Sequence, residues 1–145
     1  MKTTILTLAA AAASAMSAHG QIPMGTKLIA NVPFTFHQGD NVMPAGRYEV
    51  ASSHTSAVTL NNRTAKVSAI AVVTRRPSQP SVKGYLSFRC YGESNTCFLR
   101  EIAAPDVGTA IRLGEGKAER EHARTAATPR IAVIEANVSA SRTAE

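Results

Sequence analysis

The stretch that decides the fold is residues 31–50, NVPFTFHQGDNVMPAGRYEV. Two alternating segments flank two turns. Val32, Phe34 and Phe36 fall on one face of an extended chain, and Tyr48 and Val50 on one face of the next, because successive side chains of a strand point to opposite sides. Gly39-Asp40-Asn41 has the composition of a turn. So has Pro44-Ala45-Gly46, where Pro presets φ and Gly closes the turn. This is a sheet-building unit and carries no catalytic constellation.

Toward the N-terminus the chain reads as an address. Lys2 supplies a positive start, residues 5–15 form a short Ala-rich apolar run, and Ala18-His19-Gly20 offers small residues for cleavage. Cleavage after Gly20 makes Gln21 the mature start; cleavage after Ala18 is the alternative. The apolar run is shorter than the roughly 20 residues a membrane span needs. No Cys stands there to take a lipid. The expectation is an exported, periplasmic or extracellular protein without a membrane span. Residues 1–20 are then the signal peptide, 21–138 a single β-rich domain, and 139–145 a loose tail.

The 145-residue chain carries a formal charge of +6, and Lys2 is the one charged residue of the signal. The domain is therefore mildly basic. Nucleic acid fits poorly with export. An acidic envelope polymer or a glycan is the partner compatible with the address, and a plainly solvated basic face is the bland alternative. Cys90 and Cys97 are the two cysteines. In an exported protein such a pair reads as a disulfide. A metal would need more than two sulfurs, and no His lies close in sequence.

Along the domain, residues 27–37 read as the first strand, an edge or bulged one because Pro33 cannot donate to a ladder. Residues 47–52 and 57–60 follow, with Asn61-Asn62-Arg63 as a hairpin-type turn. Residues 64–74 lack clean alternation, as a strand covered on both faces does. Residues 82–91 and 97–103 form the clearest hairpin, turning at Gly92-Glu93-Ser94-Asn95. Pairing Cys90 with Cys97 sets Phe88 opposite Leu99 and Arg89 opposite Phe98. Residues 107–113 alternate again. Residues 114–127 are the one plausible helix, weakly faced by Ala118, Ala123 and Ala126. Residues 131–138 are a last strand. All seven aromatics lie between Phe34 and Phe98, which places the C-terminal third at the periphery.

The fold expected is mainly β: an antiparallel sandwich or partly open barrel of about seven strands, with one short helix near the C-terminus. The sequence lacks G-x-S-x-G, a phosphate loop and G-x-G-x-x-G. Glu49 and Asp40 do not by themselves make an acid/base pair. His37, His54 and His122 show no ligand spacing and read as surface residues, though His37 stands beside Asp40 where a loop could add a third group. Asn62-Arg63-Thr64 and Asn137-Val138-Ser139 are formal glycosylation triplets. No cofactor, metal or catalytic residue is expected. Tyr85, Tyr91 and Arg89 share a hairpin face, and with Tyr48 nearby they form the candidate ligand surface, since exposed Tyr and Arg stack on sugars. Half-buried sheet tyrosines are the alternative.

Taken together, NVPFTF, MPAGRYEV, LSFRCYG, CFLREI and AEREHA, behind the export signal, resemble a family of small exported β-rich proteins of acidobacterial-type soil bacteria. The likeness spans most of residues 28–125 and implies a secreted β-domain with no catalytic residue to carry over. The eight residues MPAGRYEV are also similar to strand-turn segments of transthyretin-like and carboxypeptidase-regulatory sandwiches. The function expected is a non-enzymatic binding or envelope-associated module. The alternative is a structural protein assembling through an edge strand, with a small hydrolase ranked last.

Overall fold

A computed structural model describes residues 26–140, apart from 55, 106, 107 and 127. The signal segment, the mature start, Val107 and residues 141–145 lie outside the described residues. The elements are β1 (Thr26–Val32), β2 (Phe36–Gln38), β3 (Asn41–Met43), β4 (Gly46–His54), β5 (Ala57–Asn62), β6 (Val67–Pro77), β7 (Gly84–Tyr91), β8 (Thr96–Ala103), β9 (Thr109–Leu113), α1 (Lys117–Thr125) and β10 (Arg130–Ala140).

The chain is mainly β and antiparallel, with one short helix. The sheet runs β3-β2-β8-β7-β10-β1-β4-β5-β6-β9, and β8 also pairs with β9. That last pairing closes eight strands into a barrel, so the sandwich alternative falls. Ten strands are present instead of about seven. The difference arises around Pro33. Residues 27–37 are not one strand: β1 stops at Val32, Pro33 sits in the link, and the chain restarts as β2 in parallel with β8. A proline without an N–H ends the ladder there. Asn41, read as part of a turn, pairs with Gln38, and Val42 with His37, as β3.

Alternation fills the barrel. Leu28, Val50, Leu60, Val73, Leu86, Phe88, Ile102 and Leu113 point inward and are buried. Phe36 enters from the link and meets Tyr48 and Phe88 edge-on at 5.1 and 5.2 Å. An eight-stranded barrel has room for side chains and little else. The C-terminal third is not peripheral: β10 sits in the wall between β7 and β1 and buries Ala136. Nor is β6 covered on both faces, since Ile70 and Val72 stand outward, 69% and 80% exposed.

The Cys90–Cys97 disulfide is present, with Cα atoms 4.0 Å apart inside the β7–β8 hairpin. The register has Phe88 opposite Leu99 and Arg89 opposite Phe98, as the bridge demands. Farther along, Ser87 opposes Glu101, so Arg100 is an extra residue bulged out of the ladder. A bulge re-aims a side chain, and this one turns Arg100 toward α1. Gly46 turns the β3–β4 corner at φ +151, where an added Cβ would stand 2.6 Å from Asn62 Nδ2. Asn62 lies in β5 and not in the expected turn; it is buried and its Oδ1 accepts from Ala65 N–H. A sugar could not reach that triplet in the folded chain.

Candidate functional site on the outer barrel wall

The four residues expected to form one ligand surface do not come together. Tyr48 is fully buried in the barrel, its hydroxyl donating to Pro44 O. Tyr85, Arg89 and Tyr91 do share the outer face of β7, but α1 divides them. Arg89 reaches Glu115 at 3.4 Å, just before the helix, and Tyr91 donates to Glu119 Oε1 at 3.1 Å. Tyr91 is buried under the helix. Tyr85 alone stays on the open wall.

The helix docks by charge and not by its alanines. Glu119 is its buried residue, 1% exposed. Its carboxylate takes Arg100 at 3.3 Å as well as the Tyr91 hydroxyl. Burial pushes the Glu119 carboxyl above its usual range, while Arg100 and Tyr91 pull it back. Burial and the neighbouring Glu119 raise the Tyr91 phenol. At the helix start Asp40 Oδ1 accepts from Ala118 N–H at 3.2 Å, doing from the β2–β3 turn what a cap residue does locally. Gly116 makes room for it: a Cβ there would stand 2.9 Å from that same oxygen.

His37 and His122 are not simple surface residues. They flank Phe98, with ring centroids at 4.8 Å and 5.7 Å. Burial and His122 lower the His37 pKa, and Asp40 works the other way. Thus a loop does bring His37, Asp40 and His122 near one another, but among the described residues no three His, Cys, Asp or Glu side chains converge as a metal requires. The side chain of His54 lies outside the described part. Glu49 is engaged by Lys27 and Arg63 on another part of the wall, apart from Asp40 at the start of the helix.

Beyond the helix, two rows of outward residues cross the wall. Strand register aligns Glu135, Tyr85, Ala103, Ala110 and Arg76 in one, and Val133, Ser87, Glu101, Arg112 and Thr74 in the next. Ala103 and Ala110 make a low floor. Above it opens a notch of about 260 Å³, lined by Arg76, Pro77, Ser78, Glu101 and Ala110. Tyr85 donates to Glu101 Oε1 at 2.7 Å. Burial, then that bond, holds the phenol protonated above its ordinary range. Arg76 and Arg112 flank Glu101 and form no ion pair among the described residues. Only Tyr85 of this group was legible in the sequence.

The outer wall carries Glu49, Arg89, Glu101 and Arg112 together with the exposed Ile70, Val72, Ile131 and Val133. Among the described residues no helix is long and apolar enough to cross a membrane. No protein-family model, curated protein or solved structure matches this chain.

Proposed function

We propose that this protein is an exported, non-enzymatic binding module whose ligand is an acidic glycan held against the outer wall at Arg76, Ser78, Tyr85, Glu101 and Arg112. The observation that carries the reading is the notch together with its neighbour Arg112: Arg76 in the lining and Arg112 paired across the strands with Glu101, neither in an ion pair among the described residues, on a barrel whose interior is packed. Ligands of such a barrel must lie outside it. A uronate has the matching chemistry. Its carboxylate suits Arg76 and Arg112, since guanidinium forks bind carboxylates in bidentate fashion. Its hydroxyls suit Glu101 and Ser78. The Tyr85 ring offers a face for the sugar ring.

A disulfide agrees with an oxidising compartment, and the family resemblance points the same way. A hydrolase needs a base poised beside a nucleophile; Asp40, the carboxylate nearest His37, already serves Ala118. The test is an array of uronate-rich, sulfated and neutral polysaccharides. Uronate-bearing polymers are expected to bind, and Arg76→Ala with Arg112→Ala to abolish it while the circular dichroism spectrum stays unchanged. Equal binding to neutral and acidic polymers, or none to acidic ones, would defeat the reading.

A further inference from the structure

The barrel wall is forked on the side away from the notch. β10 pairs with β7 from Arg130 to Ala136, but with β1 only from Ala136 to Ala140. Along residues 130–135 one edge of β10 therefore has no strand beside it among the described residues. Every second residue there points its N–H and C=O away from β7, with no strand to receive them among the described residues. Inward residues tell the same story. Ala132 and Ile134 are only partly buried, while other inward residues such as Leu86 and Phe88 are 0% exposed. Outward, Ile131 and Val133 are 56% and 58% exposed. Where β1 and β10 separate, a depression of about 730 Å³ opens, lined by Asn31, Arg47, Ile134 and Glu135 among others.

Natural edges are blunted by lysine, inward charge or short length. The run Ile131-Ala132-Val133-Ile134 has no charge, and Ile131, Val133 and Ile134 are strongly suited to a ladder. Pro129 and Arg130 stand at one end and Glu135 at the other. We propose that this edge pairs with the same edge of a second copy, joining two barrels through a β7-β10-β10-β7 sheet. A twofold axis at Ala132 sets Ile131 opposite the partner's Val133 and Val133 opposite the partner's Ile131, all on the outer face. Ala132 meets the partner's Ala132 on the inner face. Side-chain parity is kept, as antiparallel pairing requires. In that register the partner's Pro129 falls opposite Glu135, at the fork, where it needs no ladder bond and the depression gives the departing chain room. An edge of unpaired main-chain groups recognises another strand and little else; this one is complementary to itself.

Sedimentation velocity over a concentration series tests it. The wild type is expected to pass from monomer to dimer as concentration rises. Val133→Lys, which sets a charge on the joined face, is expected to remain monomeric. Ile70→Lys removes an equally exposed residue from β6, across the barrel, and is expected to dimerise like the wild type. A wild type monomeric throughout, or a dimer that survives Val133→Lys, overturns the proposal. Amide exchange on the wild type gives a second reading without any variant. The amides of residues 131–134 that point away from β7, every second one, must gain protection with concentration, and unchanged exchange there refutes the pairing. Glycan binding uses other strands, so either proposal can fail without the other.

Discussion

Arg100→Met is the sharpest test of how the helix is held. The substitution keeps a long side chain but removes the cation 3.3 Å from Glu119, whose side chain is 2% exposed. A buried carboxylate without its partner costs about 3–5 kcal/mol if it stays charged. Glu119 can avoid that by taking a proton. Protonating a carboxyl of ordinary pKa 4.5 at pH 7 costs about 1.36 kcal/mol per pH unit, about 3.4 kcal/mol in all, which sets the ceiling. The second contact of Arg100, to the more exposed Glu115 at 3.7 Å, adds little. We therefore expect a loss of about 2–3 kcal/mol at pH 7 by urea denaturation followed by circular dichroism. Near the ordinary carboxyl pKa of 4.5 the proton is free of cost, and the loss should shrink below about 1 kcal/mol. Glu119→Gln removes the charge and keeps the shape, and it leaves Arg100, 12% exposed, with Glu115 at 3.7 Å, so at pH 7 it should cost less than Arg100→Met. If Arg100→Met costs the same at both pH values, or Glu119→Gln costs as much as Arg100→Met at pH 7, charge burial is not what anchors the helix.

Other outcomes follow from single contacts. His37 has a lowered pKa when folded, so below its ordinary 6.5 the unfolded chain binds more protons and stability falls as pH drops through that value. His37→Phe keeps a ring on Phe98 and should flatten the melting temperature between pH 6.5 and 5; an unchanged slope would count against it. Replacing both Cys90 and Cys97 by Ala opens a short loop of separation 7 and should cost about 2.5 kcal/mol in a urea titration. A change under about 0.5 kcal/mol would show that the hairpin register does not depend on the bridge. Gly46→Ala drives a Cβ into the Asn62 amide at positive φ and should destabilise by about 1–3 kcal/mol. A melting temperature equal to wild type would contradict the close approach.

Local order was written in the chain itself. Alternation at Val32, Tyr48 and Val50, the turns at Gly39 and Gly46, and the spacing of Cys90 and Cys97 specify extended segments, their inner faces and one hairpin register. These are properties of neighbours along the chain, set by a two-residue period and by backbone dihedrals. Whether the strands stack as two sheets or close as one was not so encoded, because closure rests on β6 meeting β9 and β10 meeting β1 across long stretches of sequence. The same distance hides the chemistry. Glu119 reads as one more charge on a polar helix until the Arg100 bulge and Tyr91 surround it. Asp40 caps a helix that begins 77 positions later in the sequence. Arg76 and Glu101 become neighbours only when β6, β9 and β8 lie side by side, and the bare edge of β10 exists only because β1 leaves it after Ala30. Periodicity records which way a side chain points; what it meets there is decided by closure of the wall.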